Sequence, residues 1–239
     1  MEKVVTFLLD GEVIQGQEGQ SIMQAADEAG KYIPRLCAHK DLTPHGSCRM
    51  CTVLVNGRPQ SACTQPIADG ILVESETPKV NGLRANIIDM LFVEGNHFCM
   101  FCEKSGNCEL QALAYRFGIT APKYPYQFPQ RDLDASHPDI FLDRNRCVLC
   151  GRCVRASQEL DGKNVFQFVG RGVEKRVAVN SEEGLKGTDA DVVDKAISVC
   201  PVGALLKKHV GYAVPVGQRL YDHQPIGSAS EDETTESQK

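Results

Sequence analysis

Short apolar runs alternate with turn residues along the chain, and the period of each run sets the element expected there. Val4 to Leu9 and Val13-Ile14 flank Asp10-Gly11, and an Asp-Gly pair between two apolar runs is a strong hairpin signal. Ser21 stands three residues before Gln24 and ahead of Met23, Ala25, Ala26 and Ala29, which predicts a capped helix ended by Gly30. Thr52 to Val55 running into Asn56-Gly57 predicts another hairpin, and Ile71 to Glu74 a closing strand. Leu83, Ile87 and Leu91 recur four apart between Asn81 and Val93, so a helix with those three on its inner face is expected, stopped by Gly95. Glu109 to Phe117, closed by Gly118, predicts a second helix.

From 119 to 146 the chain carries Pro122, Pro125, Pro129 and Pro138 and no clear period, which predicts a long connecting loop. Its Tyr124, Tyr126, Phe128 and Phe141 are expected to be packed, because large aromatic groups gain most from burial, with a partner-docking surface as the alternative for Tyr124 to Pro129. After a turn and helix at Cys147, strands are expected around Val165 to Val169 and Val173 to Val179, joined through Gly170-Arg171-Gly172, and then a last helix capped by Thr188 and running to Val199. Lys207 to Gly227 has no core pattern yet holds Val210, Tyr212, Val214 and Tyr221, and reads as an arm that orders against a neighbouring subunit. The Ser-, Thr- and acid-rich end beyond it reads as disordered.

Composition narrows the class. With 239 residues, 42% hydrophobic and 24% charged, the chain has the balance of a globular protein, which excludes collagen-like or wholly disordered architecture. Its longest apolar runs fall far short of the ~18 residues that a membrane span needs. Asp10 interrupts the N-terminal run before a signal-peptide core forms, so a cytoplasmic protein is expected. A net charge of −5 lacks the electrostatic footprint of a nucleic-acid binder, and no such partner is expected. There is no G-x-G-x-x-G, Walker or G-x-S-x-G sequence, so neither a dinucleotide cradle nor a catalytic residue of its own is expected.

The eleven cysteines change the picture most. A cytosolic chain has little use for disulfides, and an odd number cannot pair within one chain, which leaves metal as the economical explanation. They fall into three groups: Cys37, Cys48, Cys51 and Cys63; Cys99, Cys102 and Cys108; and Cys147, Cys150, Cys153 and Cys200. In the third, two successive two-residue gaps and a distant Cys-Pro point to a [4Fe-4S] centre. No second such run exists to exchange ligands with, so Cys200 is expected to close its own centre. The spacing of the first group leaves [2Fe-2S] and zinc both open, although the preceding hairpin and helix favour the ferredoxin reading. The second group is one thiolate short. His97, two residues before Cys99, is the candidate fourth ligand, since imidazole can replace thiolate on a cluster iron. Eleven cysteines and His97 supply the donors of three four-ligand centres with none left over. Three redox centres without a substrate site make an electron relay. Arg49, Arg146, Arg152 and Arg155 are candidates to offset the thiolate charge.

The segments IPRLCAHK, GSCRMCTVLVNG, GNHFCMFCEKSGNCELQ, RCVLCGRCVR and CPVGAL, in that order over residues 3–210, resemble the N-terminal iron–sulfur region of the large electron-transfer subunit of respiratory complex I. Within that family, the short chain is most similar to the diaphorase iron–sulfur subunits of cytoplasmic, Hox-type NAD-reducing [NiFe] hydrogenases. The resemblance implies an α+β chain: a β-grasp [2Fe-2S] ferredoxin domain over 1–78, a short helical [4Fe-4S] domain with one His and three Cys ligands over 79–118, and a loop with a ferredoxin-type [4Fe-4S] domain over 119–210. Residues 211–239 would be the partner-binding arm and acidic tail. It further implies one [2Fe-2S] cluster on Cys37, Cys48, Cys51 and Cys63, and two [4Fe-4S] clusters, on His97, Cys99, Cys102 and Cys108 and on Cys147, Cys150, Cys153 and Cys200. FMN and NAD are expected on a diaphorase partner and the Ni-Fe centre on hydrogenase small and large subunits. The same relay in an NAD-dependent formate dehydrogenase or a complex I-like enzyme is the alternative, and a zinc-stapled interaction protein is the alternative of a different class.

Overall fold

The computed structural model describes residues 3–228, so the acidic tail expected at the C-terminus lies outside the described residues. β1 (Val4–Leu9) and β2 (Glu12–Gln17) form the expected hairpin. Asp10 and Gly11 sit at φ 50° and 87°, the left-handed pair that a two-residue connection between twisted strands needs. Val5, Phe7 and Leu9 face inward while Val4 faces solvent, the period of two that a half-buried strand shows. α1 (Ile22–Glu28) opens on a capping box: Gln24 N–H donates to Ser21 Oγ at 3.2 Å and Ser21 N–H to Gln24 Oε1 at 2.9 Å. β3 (Thr52–Val55), β4 (Arg58–Ser61) and β5 (Leu72–Glu74) complete a sheet of order β2-β1-β5-β3-β4, with β1 and β5 parallel and the other pairs antiparallel. Val5, Phe7, Ile22, Ala25 and Val73 make its core against α1, the β-grasp arrangement.

α2 (Pro78–Val93), capped by Thr77, turns a different face inward from the one its leucine spacing predicts. Val80, Arg84 and Ile88 are fully buried, whereas Leu83 is exposed and Ile87 and Leu91 are half-buried. The cause is Arg84, whose guanidinium donates to the carbonyls of Ser75 and Thr52, both at 2.9 Å, and to Ser75 Oγ at 3.0 Å. It ties the helix to the ends of β5 and β3, and a pattern read on apolar residues cannot register a buried arginine.

α3 (Glu109–Arg116) ends where expected, with Gly118 left-handed at φ 66°. The loop expected over 119–146 is corrected. It contains β6 (Leu133–Asp134) and β7 (Ile140–Asp143), and β7 pairs antiparallel with β10 (Leu205–Lys207) far along the chain. Ile140 and Leu142 carry the packing, and the strand is too short and too close to Pro138 to show a period. Tyr124, Tyr126 and Phe128 are not packed inside: they are 40%, 39% and 70% exposed. The prolines around them leave few backbone groups to dock, and Gln127 N–H to Val93 O is the tether of this stretch to α2.

α4 (Arg152–Glu159), β8 (Phe166–Val169) and β9 (Arg176–Val179) follow, the two strands joined through left-handed Gly170 and Gly172. The last helix is shorter than expected: α5 spans Lys195–Ser198. Thr188 does not cap it, because its hydroxyl donates to Leu185 O, and the first N–H groups of α5 bind Asp161 at 2.8 and 2.9 Å. The far end of the expected arm packs on its own chain, with Leu220 N–H on Asn107 Oδ1, Tyr221 N–H on Gly106 O, Arg116 on Ile226 O, and Ile226 buried, while Val210, Tyr212 and Val214 stay exposed. A second core joins Leu36, Leu42 and Met50 of the first unit to side chains of α2 to α5, so the Cys-bearing loop of the β-grasp unit is planted in the rest of the molecule. No described helix is long and apolar enough to cross a membrane.

Candidate metal centres

All eleven cysteines are free thiols. In the first group, Cys37 and Cys48 lie on the loop between α1 and β3, Cys51 leads into β3 and Cys63 follows β4. The hairpin therefore delivers two of the four sulfurs, and Cys51 and Cys63 Sγ stand 3.4 Å apart. Cys37 N–H donates to Cys48 Sγ at 3.4 Å. Hydrogen bonds from the Cys48 and Cys63 thiols hold Cys37 far below the usual thiol range, and the Cys63 thiol holds Cys51 at about 7. Cys48, bonded to Cys37 and buried, and Cys63, bonded to Cys37 and Cys51, are pushed up in turn. Thiols grouped this closely become thiolates when a bound cation replaces their protons.

In the second group, Cys99 begins a 3-10 turn (Cys99–Phe101), Cys102 ends it and Cys108 precedes α3. Burial and its neighbour Cys102 raise Cys99, and burial drives Cys108 to about 12. His97 lies on the loop just before. The Leu91 backbone raises its basicity, but burial and then Arg146 bring the imidazole down to about 4. The neutral ring packs edge-on to Phe92 at 5.5 Å, and its Nε2 is buried without a hydrogen-bond partner. A neutral imidazole has one unprotonated nitrogen, and Nε2 has no competing partner, as a metal-binding histidine requires. Arg146 stands between the two halves of the group, its Nη1 3.6 Å from Cys102 Sγ and 3.1 Å from Glu103 and its Nε 3.0 Å from Asp143.

In the third group, Cys147, Cys150 and Cys153 wrap the turn into α4, and Cys200 follows α5. Burial raises Cys147 to about 11 and, together with Cys200, Cys150 to about 12; burial and then Cys150 push Cys153 higher still. Leu149 at φ 53° here, and Arg49 at φ 59° between Cys48 and Cys51, are left-handed without being glycine, a strain of about 1–3 kcal/mol each that persists only where surrounding structure demands it. Arg155 joins the first and third groups, donating to the carbonyls of Cys37 and Thr43 at 2.6 and 2.5 Å.

The donors fit iron–sulfur chemistry. Buried thiols that are costly to ionise alone become thiolates when a cation is bound, and a buried imidazole lone pair has no other use in the fold. Among the described residues no three His, Cys, Asp or Glu side chains are disposed around one metal ion; a cluster spreads its ligands over several irons.

Two supporting glycines escape sequence reasoning because their role is spatial. A Cβ on Gly95, expected as a helix stop, would collide with His97 Nε2, and one on Gly203 would lie 2.5 Å from Cys102 Sγ. Of the four candidate arginines, Arg146 alone is within hydrogen-bonding reach of a cysteine sulfur, while Arg49 donates to Ser61, Arg152 to Glu109 and Arg155 to carbonyls.

Comparison with known proteins agrees with this arrangement. Residues 2–78 match a 2Fe-2S iron-sulfur cluster binding domain, 84–123 the NADH-ubiquinone oxidoreductase-G iron-sulfur binding region, and 137–206 the ferredoxin-like domain of NADH-quinone oxidoreductase subunit 3. The gamma subunit of the NAD-reducing hydrogenase HoxS of Cupriavidus necator is 38% identical over 223 residues, covering 93% of this chain and 95% of its own. The chain belongs to the family of NAD-reducing hydrogenase gamma subunits. A solved member, in the crystal structure of an H2-reduced NAD+-reducing [NiFe]-hydrogenase, superposes with a TM-score of 0.92 at 47% identity over 96% of this chain and 98% of its own. The family is related to longer proteins. The alpha subunit of the NADPH-Fe(3+) oxidoreductase of Geobacter sulfurreducens is 31% identical over 86% of this chain but only 24% of its own.

Proposed function

We propose that this chain is the electron-transfer subunit of an NAD-reducing [NiFe] hydrogenase and passes electrons between a flavin- and NAD-binding diaphorase subunit and the hydrogenase small and large subunits. The observation that carries the reading is the buried, unpartnered Nε2 of His97 beside the cysteines that follow it, in a chain of this family. Cys37, Cys48, Cys51 and Cys63 hold a [2Fe-2S] cluster within a domain over 1–78. His97, Cys99, Cys102 and Cys108 hold a [4Fe-4S] cluster over 79–118, and Cys147, Cys150, Cys153 and Cys200 a second over 119–210. Bound, these clusters supply one-electron redox chemistry, and the protein supplies position and electrostatics. Gly203 leaves room for the Cys102 sulfur, and Arg146 offsets its charge. The exposed Phe98, Met100 and Phe101, at 64%, 86% and 72% on the turn that carries Cys99, give a partner apolar surface next to a ligand. The complex works in the cytoplasm, where no membrane span is needed.

The chain performs neither terminal reaction, because hydride exchange with NAD needs a flavin and hydrogen activation needs a metal with open positions. Removing it from the complex is expected to stop hydrogen-driven NADH formation while dye-linked hydrogen oxidation and dye-linked NADH oxidation continue. NAD reduction by the purified chain alone would overturn the assignment. Replacing His97 with Ala is expected to alter or abolish the EPR signal of the middle cluster and to spare the other two. An unchanged spectrum with full iron would remove His97 from the ligand set.

A further inference from the structure

Arg152 belongs to none of the ligand sets, yet segments of the second and third groups converge on it. It lies between Cys150 and Cys153 and is 3% exposed. Its Nη1 and Nη2 donate to the Glu109 carboxylate at 2.5 and 2.8 Å, and Nη1 also reaches the carbonyl of Val199 at 3.4 Å. Glu109 directly follows Cys108, and Val199 directly precedes Cys200. Arg152 Nε is buried with no partner, so the guanidinium is not placed to satisfy every donor. A buried ion pair adds little stability compared with apolar packing of the same volume, which leaves its charge as the property to explain.

We propose that Arg152 is a positioning residue for electron transfer: its buried positive charge, partly offset by Glu109, sets the reduction potential of the centre held by Cys147, Cys150, Cys153 and Cys200. This deepens the function proposed above and rests on it. One electron given up by a neighbouring carrier, which is oxidised in losing it, reduces the centre and makes it one unit more negative. A fixed positive charge beside it stabilises that reduced form and raises its potential. Protein of low effective dielectric screens the charge weakly, unlike the exposed lysines of the surface. The two members of the pair therefore act on the centre with opposite sign, a signature that packing alone does not produce.

The test is an EPR-monitored redox titration of the whole complex carrying Arg152→Met, Arg152→Lys, Glu109→Gln, or the double replacement Arg152→Met with Glu109→Leu. Arg152→Met is expected to lower the midpoint of the third-group signal, by an amount that cuts its reduced-to-oxidised ratio about tenfold at fixed potential, or 59 mV for one electron. Glu109→Gln is expected to raise it, and Arg152→Lys, which keeps the charge, to leave it in place. The double variant leaves no buried charge unpaired, so it assembles even where a single one does not, and a midpoint below wild type is expected because the more deeply buried of the two charges, 4% against 23% exposed, has gone. Shifts of the same sign in both single variants, or a wild-type midpoint in the double, would overturn the proposal. Absence of any third-group signal in the unaltered complex would instead overturn the functional reading beneath it.

Discussion

Gly203→Ala is the smallest change expected to remove a centre. The residue adds nothing chemical to the site: its backbone is not left-handed, and its carbonyl merely accepts a 3.4 Å contact from Arg146. The added methyl, however, would stand 2.5 Å from Cys102 Sγ, with Lys104 Cβ at 3.3 Å and Arg146 Nη1 at 3.5 Å around it. Non-bonded contacts settle at about 3.5–4.0 Å, so the sulfur has to retreat by ~1 Å or the 200–206 segment has to lift. Overpacking of this kind costs about 1–3 kcal/mol. The segment is held by Cys200 at one end and by the pairing of β10 with β7 at the other, so the sulfur is the softer partner. A ligand displaced by that distance no longer meets its iron. The expected outcome is loss of the middle cluster's EPR signal and a fall of about four irons per chain, with the first and third signals intact. Gly203→Ala with full iron and an unaltered middle signal would refute the argument that this glycine exists to make room for Cys102.

Two further contacts set expectations of their own. Arg84→Met removes four charge-assisted hydrogen bonds and leaves the Thr52 and Ser75 carbonyls buried and unpaired, so a loss of about 2–4 kcal/mol is expected, seen as a lower urea midpoint and as new protease cleavage near Ser75. Asp134 accepts from Ser136 Oγ, Ser136 N–H and Leu185 N–H at 2.7, 3.0 and 2.9 Å. Burial pushes its carboxyl up, but the Ser136 hydroxyl and the two N–H groups outweigh it and leave the carboxyl below its ordinary value. Its contribution is therefore present above the unfolded value and lost as pH falls through the folded one. The exchange protection of the Leu185 amide is expected to drop only as pH falls below about 4, and Asp134→Asn should abolish that pH dependence.

What the sequence revealed and what it hid divide along physical lines. The β-grasp unit is local: a left-handed Asp10-Gly11, a capping box at Ser21 and an Asn56-Gly57 turn each write their geometry in two to four residues. The iron–sulfur character of the three Cys-bearing stretches was equally legible, because Cys spacing is metal geometry expressed along the chain. Pairing of β7 with β10 was not, since strands of four and three residues have no period and their partnership is made by folding. Arg84 misled the helix reading, as the apolar pattern of α2 points one position away from the face the arginine fixes. The exposed Tyr124, Tyr126 and Phe128 and the self-packed arm around Tyr221 show the same limit from the other side. Hydrophobicity says that a side chain gains by burial, and whether the chain offers a cavity for it is decided elsewhere.

The most direct test of the relay itself is the metal content of this chain, isolated without oxygen from its complex. About ten irons and as many acid-labile sulfides per chain, with one [2Fe-2S]-type and more than one [4Fe-4S]-type EPR signal on reduction, is the predicted result. Stoichiometric zinc in a colourless protein, or about four irons only, would contradict it.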